Sequence, residues 1–331
     1  MLISSIEKLL RQEDLTQEES YLCLSEILDG ANPSQVSAFL VLLRAKGESV
    51  QELHGVIEGM RAKMVSVPVA TPVLDIVGTG GDGRHTLNIS TASAILAASC
   101  GVKIAKHGSR SVSSLSGSAD VLEALGIDIH KTPEMIFRSI EEVGIGFMFA
   151  PNFHPALKTV REIRKDLKIR TLFNIIGPLL NPAGAEHLML GVFSEELLQR
   201  VAPLLARLRS RRSFVFHGCG LDELSCVGPS QVIEVTAEGM RHFVLDPLDF
   251  GLKRCSMEEL SGRDAQYNAK KILETLNGVE GGFADTITLN AGVACYLYGV
   301  ADSIQAGIDL AKTNLKEKRA LNLLNKWRSH V

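Results

Sequence analysis

The feature that most constrains the fold of this chain is a pair of glycine- and hydroxyl-rich segments, each between a short apolar run and an apolar helical pattern. The first segment covers residues 78–91 and follows the apolar run 73–77. The second covers residues 106–118 and follows the run 102–105. Glycines let backbone N–H groups approach a ligand closely, and the N-terminus of a following helix favours negative charge. The arrangement therefore predicts a polyphosphate site built on strand–loop–helix units.

Short runs rich in β-branched and aromatic residues alternate with helical patterns after the first quarter of the chain. The runs are residues 73–77, 102–105, 145–149, 187–192 and 213–216. This alternation predicts an α/β fold with a mostly parallel central sheet flanked by helices. Ligands of such sheets bind beyond the carboxyl ends of the strands. The residues that follow four of these runs are Gly78, Lys106, Ala150 and His217. We expect the ligand near them.

The N-terminal segment differs from the rest because it contains helical signals alone. Capping motifs begin three helices there: Thr16 with Glu19, Asn32 with Pro33, and Ser49 with Glu52. The extended stretch 65–72 contains two prolines, which is typical of a linker. The sequence therefore predicts a small all-helical domain at 1–64, a linker at 65–72, and a larger α/β ligand-binding and catalytic domain at 73–331.

Bulk composition excludes several classes of function. The chain has 331 residues, 45% of them hydrophobic and 22% charged, with a formal net charge of −3. This balance gives no overall attraction to nucleic acid or to an anionic membrane, so a phosphate site must be local. No apolar run reaches the roughly 18–20 residues of a membrane span, and acidic residues stand where a signal peptide would be apolar. We therefore expect a cytoplasmic protein that binds neither nucleic acid nor membrane, with reduced cysteines.

Residues 78–83, Gly-Thr-Gly-Gly-Asp-Gly, also satisfy the G-x-G-x-x-G pattern of dinucleotide-binding folds. In those folds the third glycine opens the helix, and an acidic residue about 20 positions further on binds ribose. Here the helical pattern begins near Ser90, and the next strand leads into Lys106 and His107, which suit phosphate better than ribose. A P-loop is excluded because no Gly-Lys-Ser/Thr follows. The dinucleotide interpretation is the weaker one.

Longer strings carry a resemblance that spans nearly the whole chain. They are Gly78-Thr-Gly-Gly-Asp82, Asn88-Ile-Ser-Thr91, Lys106-His-Gly108, Ser113-Ser-Leu-Ser-Gly-Ser-Ala-Asp120, Phe149-Ala-Pro-Asn-Phe-His154, residues 170–182, and Gly220-Leu-Asp-Glu-Leu224. In this order they resemble the anthranilate phosphoribosyltransferases, the tryptophan-pathway members of the nucleoside phosphorylase-like phosphoribosyltransferases. The resemblance implies transfer of a phosphoribosyl group from 5-phosphoribosyl 1-diphosphate to the amine of anthranilate. It also implies a homodimer formed through the N-terminal helices.

The resemblance assigns one set of residues to the phosphoribosyl donor. They are Gly78, Gly81, Asp82, Thr86, Asn88, Ile89, Ser90, Thr91, Lys106, His107, Gly108, Ser109, Arg110, Ser111, Val112, Ser113, Ser114 and Ser118. Hydrogen bonds to a charged ligand are worth roughly 1.5–3 kcal/mol each. Without the family, Ser90 and Thr91 could cap a helix, and the serine-rich stretch could be a flexible loop. Phosphate binding is favoured because the serines follow Lys106-His-Gly directly and lead into a helical pattern without a spacer.

Asp222 and Glu223 are the candidate metal ligands. Mg²⁺ prefers one or two carboxylates together with substrate phosphate oxygens and water. By itself, an acidic pair at the start of a helix more often complements the helix dipole. The resemblance reverses that ranking and implies that both carboxylates and the Ser90 hydroxyl bind Mg²⁺ together with the diphosphate.

An aromatic amine that bears a carboxylate needs a cation for the carboxylate and apolar walls for the ring. The resemblance assigns this acceptor site to Gly78, His107, Ser109, His154 and Arg164. Without the family, Arg164 belongs to a solvated helix face and His154 to a turn. Ser109 stands where the family has an asparagine that contacts anthranilate. This chain could therefore differ from the family in its affinity for the acceptor or in the acceptor that it uses. The sequence identifies no general base.

Two other functions stay open from the sequence. A relative with the same fold could use a different acceptor or act as a nucleoside phosphorylase, although the strings match the diphosphate-binding members. A non-catalytic relative could bind nucleic acid, but that function requires a basic surface stripe, which the balanced charge does not suggest.

Overall fold

The computed structural model describes residues 1–111, 115–208 and 210–330. The helices are α1 (Leu2–Leu10), α2 (Gln17–Leu28), α3 (Pro33–Lys46), α4 (Val50–Ala62), α5 (Ile89–Ser99), α6 (Ser118–Ala124), α7 (Pro133–Glu142), α8 (Ala150–Phe153), α9 (Lys158–Leu167), α10 (Phe173–Ile176), α11 (Glu195–Arg207), α12 (Ala265–Leu276), α13 (Gly282–Tyr298), α14 (Ile304–Lys316) and α15 (Arg319–Ser329). The strands are β1 (Leu74–Gly78), β2 (Ile104–Gly108), β3 (Ile145–Phe149), β4 (His187–Gly191), β5 (Arg212–His217), β6 (Ser230–Thr236) and β7 (Gly239–Leu245).

Internal contacts divide the chain into two compact units. The first unit comprises residues 1–66 and 151–182, and the second comprises residues 67–150 and everything from residue 183 onward. The sequence analysis divides the chain into consecutive pieces, and its boundaries stay a prediction. The contacts differ from it in one respect, because they group residues 151–182 with the N-terminal helices.

Helix ends in the first unit are set by residues that the sequence marks. Thr16 and Ser49 begin α2 and α4 as capping boxes, in which hydroxyl and glutamate side chain each accept a backbone N–H. The Asn32 side chain caps α3 ahead of Pro33, and Gly47 ends that helix with φ of 89°. The three helix starts predicted from the sequence are confirmed.

Glu52 is the polar centre of this helical unit. Its buried carboxylate accepts the backbone N–H groups of Leu15 at 2.9 Å and Ser49 at 2.7 Å. It also accepts the ammonium group of Lys46 at 3.0 Å, and that side chain is buried too. One carboxylate therefore joins the turn before α2, the end of α3 and the start of α4.

The second unit contains a seven-stranded sheet in the order β3-β2-β1-β4-β5-β6-β7. Strands β1 to β5 pair with one another in parallel, whereas the β5–β6 and β6–β7 pairs are antiparallel. Each run predicted to be a strand is one of the parallel strands, so the α/β fold with a mostly parallel sheet is confirmed. The β6–β7 hairpin was missed. None of the helices in the described ranges is long and apolar enough to cross a membrane.

The sheet changes its direction of growth at β1. Strands β2 and β3 extend from one side of β1, and β4 and β5 extend from the other. In the parallel pairing of β1 with β4, Gly78 lies opposite Gly191 at the carboxyl ends. Such a switch point opens a crevice beyond the strand ends, where ligands of open α/β sheets bind.

Replacing Glu52 with alanine is expected to unfold the first unit at markedly lower denaturant. The change leaves the backbone amides of Leu15 and Ser49 without their acceptor and removes one of the two carboxylates that pair with Lys46, the other being Asp14. Each buried donor left without a partner costs about 1–3 kcal/mol. Urea denaturation followed by circular dichroism measures the loss. Glu58→Ala, an exposed glutamate on the same helix, is the control and should cost less than about 1 kcal/mol. Equal losses in the two variants would contradict the central role of Glu52.

Candidate active site

The segment after β1 forms a loop, residues 78–88, called the glycine loop below. Gly80, Gly81 and Gly83 have φ of 70°, 86° and 71°. Glycine adopts this left-handed region without steric cost. Helix α5 begins at Ile89 with Asn88 as its N-cap, one residue before the start expected at Ser90. The predicted strand, glycine loop and helix are therefore present.

Asp222 lies against the glycine loop. Its Oδ2 accepts the backbone N–H of Gly80 at 2.6 Å. A Cβ atom at Gly78 would lie 2.3 Å from the same oxygen, and a Cβ atom at Gly191 would lie 1.7 Å from the backbone oxygen of Asp222. Glycine at the ends of β1 and β4 is therefore what allows this carboxylate to approach the loop.

Glu223 lies beside the start of α5, where its Oε1 accepts the backbone N–H of Ser90 at 3.3 Å. Burial, followed by the negative charge of Asp82, raises the pKa of Asp222 to about 7. Burial, followed by the charge of Asp222, raises the pKa of Glu223 to about 8, although Lys106 opposes that shift. Both carboxylates are therefore costly to hold ionised without additional positive charge.

The surroundings of this acidic pair correct one alternative from the sequence. Residues 218–229, all of them described, contain no helix. Asp222 and Glu223 therefore do not begin a helix of their own, although Glu223 accepts a backbone N–H at the start of α5. One backbone amide assigned to the donor, that of Ser90, is also engaged by the chain's own Glu223 in this conformation.

Lys106 lies inside β2, which continues to Gly108, and not beyond the strand end as the sequence suggested. Its side chain is 2% exposed. Its Nζ donates to the backbone oxygen of Ile76 at 2.6 Å and to the hydroxyl of Ser90 at 3.3 Å. Burial lowers the pKa of Lys106, and the charges of Asp75 and Glu223 oppose that effect. The side-chain nitrogen of Lys106 is therefore held next to the first turn of α5.

Asp120 contacts both described parts, 109–111 and 115–118, of the segment 109–118, which is called the serine segment. Its carboxylate accepts the backbone N–H groups of Ser111 at 3.1 Å and Gly117 at 2.9 Å. Arg110 pairs with Asp120 at 2.8 Å and with Glu123 at 2.5 Å. The guanidinium assigned to the donor is thus neutralised by two carboxylates of the chain in this conformation.

The other donor residues lie in the glycine loop, in α5 or in the serine segment. Asp82 accepts the backbone N–H of Arg84 at 3.1 Å, and Thr86 forms an isolated bridge with Ser261. Ile89 and Thr91 are buried in α5, whereas Gly81, His107 and Gly108 are buried or half-buried in the glycine loop and β2. Ser118 donates its hydroxyl to the backbone oxygen of Ser109 at 3.3 Å. Val112, Ser113 and Ser114 lie outside the described residues.

A segment that the sequence analysis missed supports the glycine loop. The backbone N–H of Gly262 donates to the oxygen of His85 at 2.8 Å, and the N–H of Leu87 donates to the oxygen of Leu260 at 2.8 Å. A Cβ atom at Gly262 would lie 2.4 Å from the backbone oxygen of Thr86. In the sequence, Gly262 lies two residues before the helix cap Asp264 and so indicates a turn. The neighbouring residues do not indicate that this turn contacts the glycine loop.

Two predicted acceptor residues lie in the first unit. Burial lowers the pKa of His154 to about 4, so its imidazole is neutral near pH 7. Arg164 is half-buried on α9, with its guanidinium 5.2 Å from the centre of the Phe173 ring. Burial lowers the pKa of Arg164. Lys165 is 75% exposed, so the solvated-face interpretation fits that lysine and not Arg164.

Comparison with known families defines the class to which the fold and site belong. The helical bundle domain of a glycosyl transferase family matches residues 3–64. The a/b domain of the same family matches residues 70–321. The chain therefore has the two domains of a glycosyl transferase family, in the order helical bundle and then α/β domain.

Individual relatives narrow the class. Over 99% of its length the chain is 44% identical to the anthranilate phosphoribosyltransferase of Chlamydia felis, of which it covers 96%. Over 98% it is 45% identical to the Thermoanaerobacter sp. enzyme of the same name, of which it covers 97%. The crystal structure of the Thermus thermophilus enzyme superposes with a TM-score of 0.93 at 41% identity, over 98% of each chain. The Saccharomyces cerevisiae enzyme in complex with PRPP and Mg superposes with a TM-score of 0.91 at 30% identity, over 100% of this chain and 98% of that one. The chain belongs to the anthranilate phosphoribosyltransferase family.

Proposed function

We propose that this chain transfers the phosphoribosyl group of 5-phosphoribosyl 1-diphosphate (PRPP) to the amine of anthranilate, with release of diphosphate, in tryptophan biosynthesis. The observation that carries the proposal is that Asp222 contacts the glycine loop while its neighbour Glu223 contacts the start of α5, at the carboxyl ends of β1 and β4. In a member of this family, these contacts provide amides for phosphate and carboxylates for a metal in one place.

We propose Mg²⁺ as the metal of this site. The raised pKa values of Asp222 and Glu223 indicate a shortage of positive charge, and hard oxygen ligands suit Mg²⁺. Within the described residues no three His, Cys, Asp or Glu side chains could hold a metal by themselves. The two carboxylates, the Ser90 hydroxyl and the diphosphate would therefore share it. Bound there, Mg²⁺ would offset the charge on the departing diphosphate.

The chain's own groups would bind and orient the two substrates. Amides of the glycine loop and the N-terminus of α5 would bind phosphate, and the side-chain nitrogen of Lys106 lies beside them, 3.3 Å from the Ser90 hydroxyl. Because packing fixes these groups, they need little rearrangement as the bond between C1 and the diphosphate oxygen breaks. The arylamine is itself nucleophilic, and His154, with its lowered pKa, is a poor base at neutral pH.

The fluorescence of anthranilate provides the direct test of the reaction. Purified protein should consume anthranilate when both PRPP and Mg²⁺ are present and should leave it unchanged when either is omitted. A relative that uses a different acceptor would instead release diphosphate from PRPP with another amine. Diphosphate release with other amines but none with anthranilate would overturn the proposed acceptor.

We further propose a homodimer formed through the N-terminal helices, in the cytoplasm. The first unit exposes large apolar side chains on α1, α2 and α3: Ile3, Leu10, Leu22 and Val41. Burial of such side chains against a second copy would remove apolar surface from water. All six cysteines lie in the described ranges as free thiols, which suits a reducing compartment.

The double substitution Asp222→Asn with Glu223→Gln should reduce turnover at least about 100-fold while leaving the fold intact, because it removes the charge that would hold Mg²⁺. Steady-state rates at saturating Mg²⁺ and a thermal melt measure the two effects. Glu195→Gln with Glu196→Gln is the matched control, since these exposed residues form an acidic pair in the first turn of α11. Wild-type turnover in the Asp222 and Glu223 variant would refute the metal assignment.

Arg164→Ala should raise the KM for anthranilate about tenfold and leave the KM for PRPP almost unchanged, because a charge-assisted contact to the carboxylate is lost. Initial rates with each substrate varied in turn separate the two constants. Lys165→Ala removes an exposed cation from the same helix and should change neither. Equal weakening of both substrates would point to a structural role for Arg164.

Ser109→Asn should tighten the KM for anthranilate several-fold. The longer side chain would replace a missing or water-mediated contact with a direct hydrogen bond, worth about 0.5–1.5 kcal/mol net. Its backbone oxygen already accepts the Ser118 hydroxyl, so the backbone contact of the serine segment is unaffected. Kinetics with anthranilate and with other aromatic amines check the effect. An unchanged KM would show that the pocket is adapted to serine.

A further inference from the structure

A buried asparagine outside all the recognised strings contacts the N-cap of α5. Asn268 lies on α12, is 1% exposed, and stands 180 residues from Asn88 in sequence. Its Nδ2 donates to Oδ1 of Asn88 at 2.8 Å, and its Oδ1 accepts the backbone N–H of Arg263 at 2.8 Å. The Nδ2 of Asn88 donates to the backbone oxygen of Ser116 at 3.2 Å. A directed chain of hydrogen bonds therefore joins α12, α5 and the serine segment.

Both ends of this chain fix the orientation of its amides. A backbone N–H can only donate, so the atom of Asn268 that faces Arg263 is the oxygen. A backbone oxygen can only accept, so the atom of Asn88 that faces Ser116 is the nitrogen. These two assignments leave the nitrogen of Asn268 facing the oxygen of Asn88, which is the donor and acceptor pair that the bond between them requires. Asn268 and the Ser116 oxygen together therefore determine which way the Asn88 carboxamide is turned, and Asn268 makes the shorter of the two bonds.

This orientation keeps Asn88 from doing what an N-cap asparagine usually does. Such a side chain normally accepts the N–H of the second or third helical residue, here Ser90 or Thr91. Asn88 makes no cap bond of that kind to any described residue. Its acceptor oxygen is held by Asn268 instead, so the first turn of α5 is not closed by its own cap.

We propose that Asn268 is a positioning residue for the phosphoribosyl donor. It holds the Asn88 carboxamide toward the serine segment and away from the N-terminus of α5, so that this side chain does not compete with the anionic donor for the amides of that turn. This role rests on the proposed function, because it assigns the glycine loop and α5 to PRPP. It adds a residue from a distant part of the chain to the donor site, acting through Asn88.

Asn268→Asp is the sharpest test because the side chain keeps its shape. The carboxylate can still accept the N–H of Arg263, but it cannot donate to Asn88 and repels its oxygen. The freed carboxamide is expected to cap α5 and compete with the donor. The KM for PRPP should rise about tenfold, and the KM for anthranilate should stay within about twofold. Asn268→Ala, which introduces no charge, should raise the KM for PRPP in the same direction.

A matched control separates positioning from loss of stability. Asn314 is also 1% exposed, and its Nδ2 donates to the backbone oxygen of Ser99 at 2.8 Å, at the other end of α5. Asn314→Asp should lower the melting temperature as much as Asn268→Asp does, with the KM for PRPP unchanged. In an Asn88→Ala background, Asn268→Asp should have no further effect on that KM.

Two results would overturn the positioning role: a wild-type KM for PRPP in Asn268→Asp, or effects of Asn88→Ala and Asn268→Asp that simply add. Calorimetry of PRPP binding with Mg²⁺ to the wild type and the same variants tests the role of Asn268 separately from the proposed reaction. Wild-type protein that binds PRPP but does not consume anthranilate would refute the reaction, while weaker PRPP binding by Asn268→Asp would still support the role of Asn268.

Discussion

One close approach organises the second unit: the backbone that carries Asp222 and Glu223 packs onto the carboxyl ends of β1 and β4. Gly78 and Gly191 lie opposite each other there, and neither position has room for a Cβ atom. Because the sheet changes its direction of growth at β1, the loops after both strands open on the same crevice. A larger residue at either end would push the carboxylates away from the glycine loop and from α5.

Stability alone does not account for this arrangement. Two neighbouring buried carboxylates with raised pKa values weaken the fold unless protons or a cation compensate them. Lys106 supplies part of that compensation, but burial lowers its own pKa. The positive charge near these carboxylates is therefore small, which fits the proposed binding of a metal there. Perturbed carboxylates in a crevice are a common property of functional sites.

Local signals explain what could be predicted from the sequence. Helix caps at Thr16, Asn32 and Ser49 are read from adjacent residues, and the parallel strands follow from short apolar runs between helical patterns. The proposed metal role of Asp222 and Glu223 came from the resemblance, because the local pattern alone suggested that the pair begins a helix, and residues 218–229 contain none.

Contacts between distant parts of the chain explain what could not be predicted. Position 262 requires glycine because a Cβ atom there would lie 2.4 Å from the backbone oxygen of Thr86 in the glycine loop. The residues next to Gly262 in sequence do not predict this contact. Asn268 contacts a residue 180 positions away. The grouping of residues 151–182 with the N-terminal helices is likewise a property of three-dimensional contacts, and a pattern read along the chain treats those residues as part of the α/β domain.

The most direct measurement is a crystal structure of the protein with PRPP and Mn²⁺, which replaces Mg²⁺ and can be located by its anomalous scattering. We expect an anomalous peak at about 2.0–2.3 Å from carboxylate oxygens of Asp222 and Glu223, shared with the diphosphate of PRPP against the glycine loop. A metal held by the diphosphate and water alone, remote from both carboxylates, would contradict the assignment of this crevice as the catalytic site.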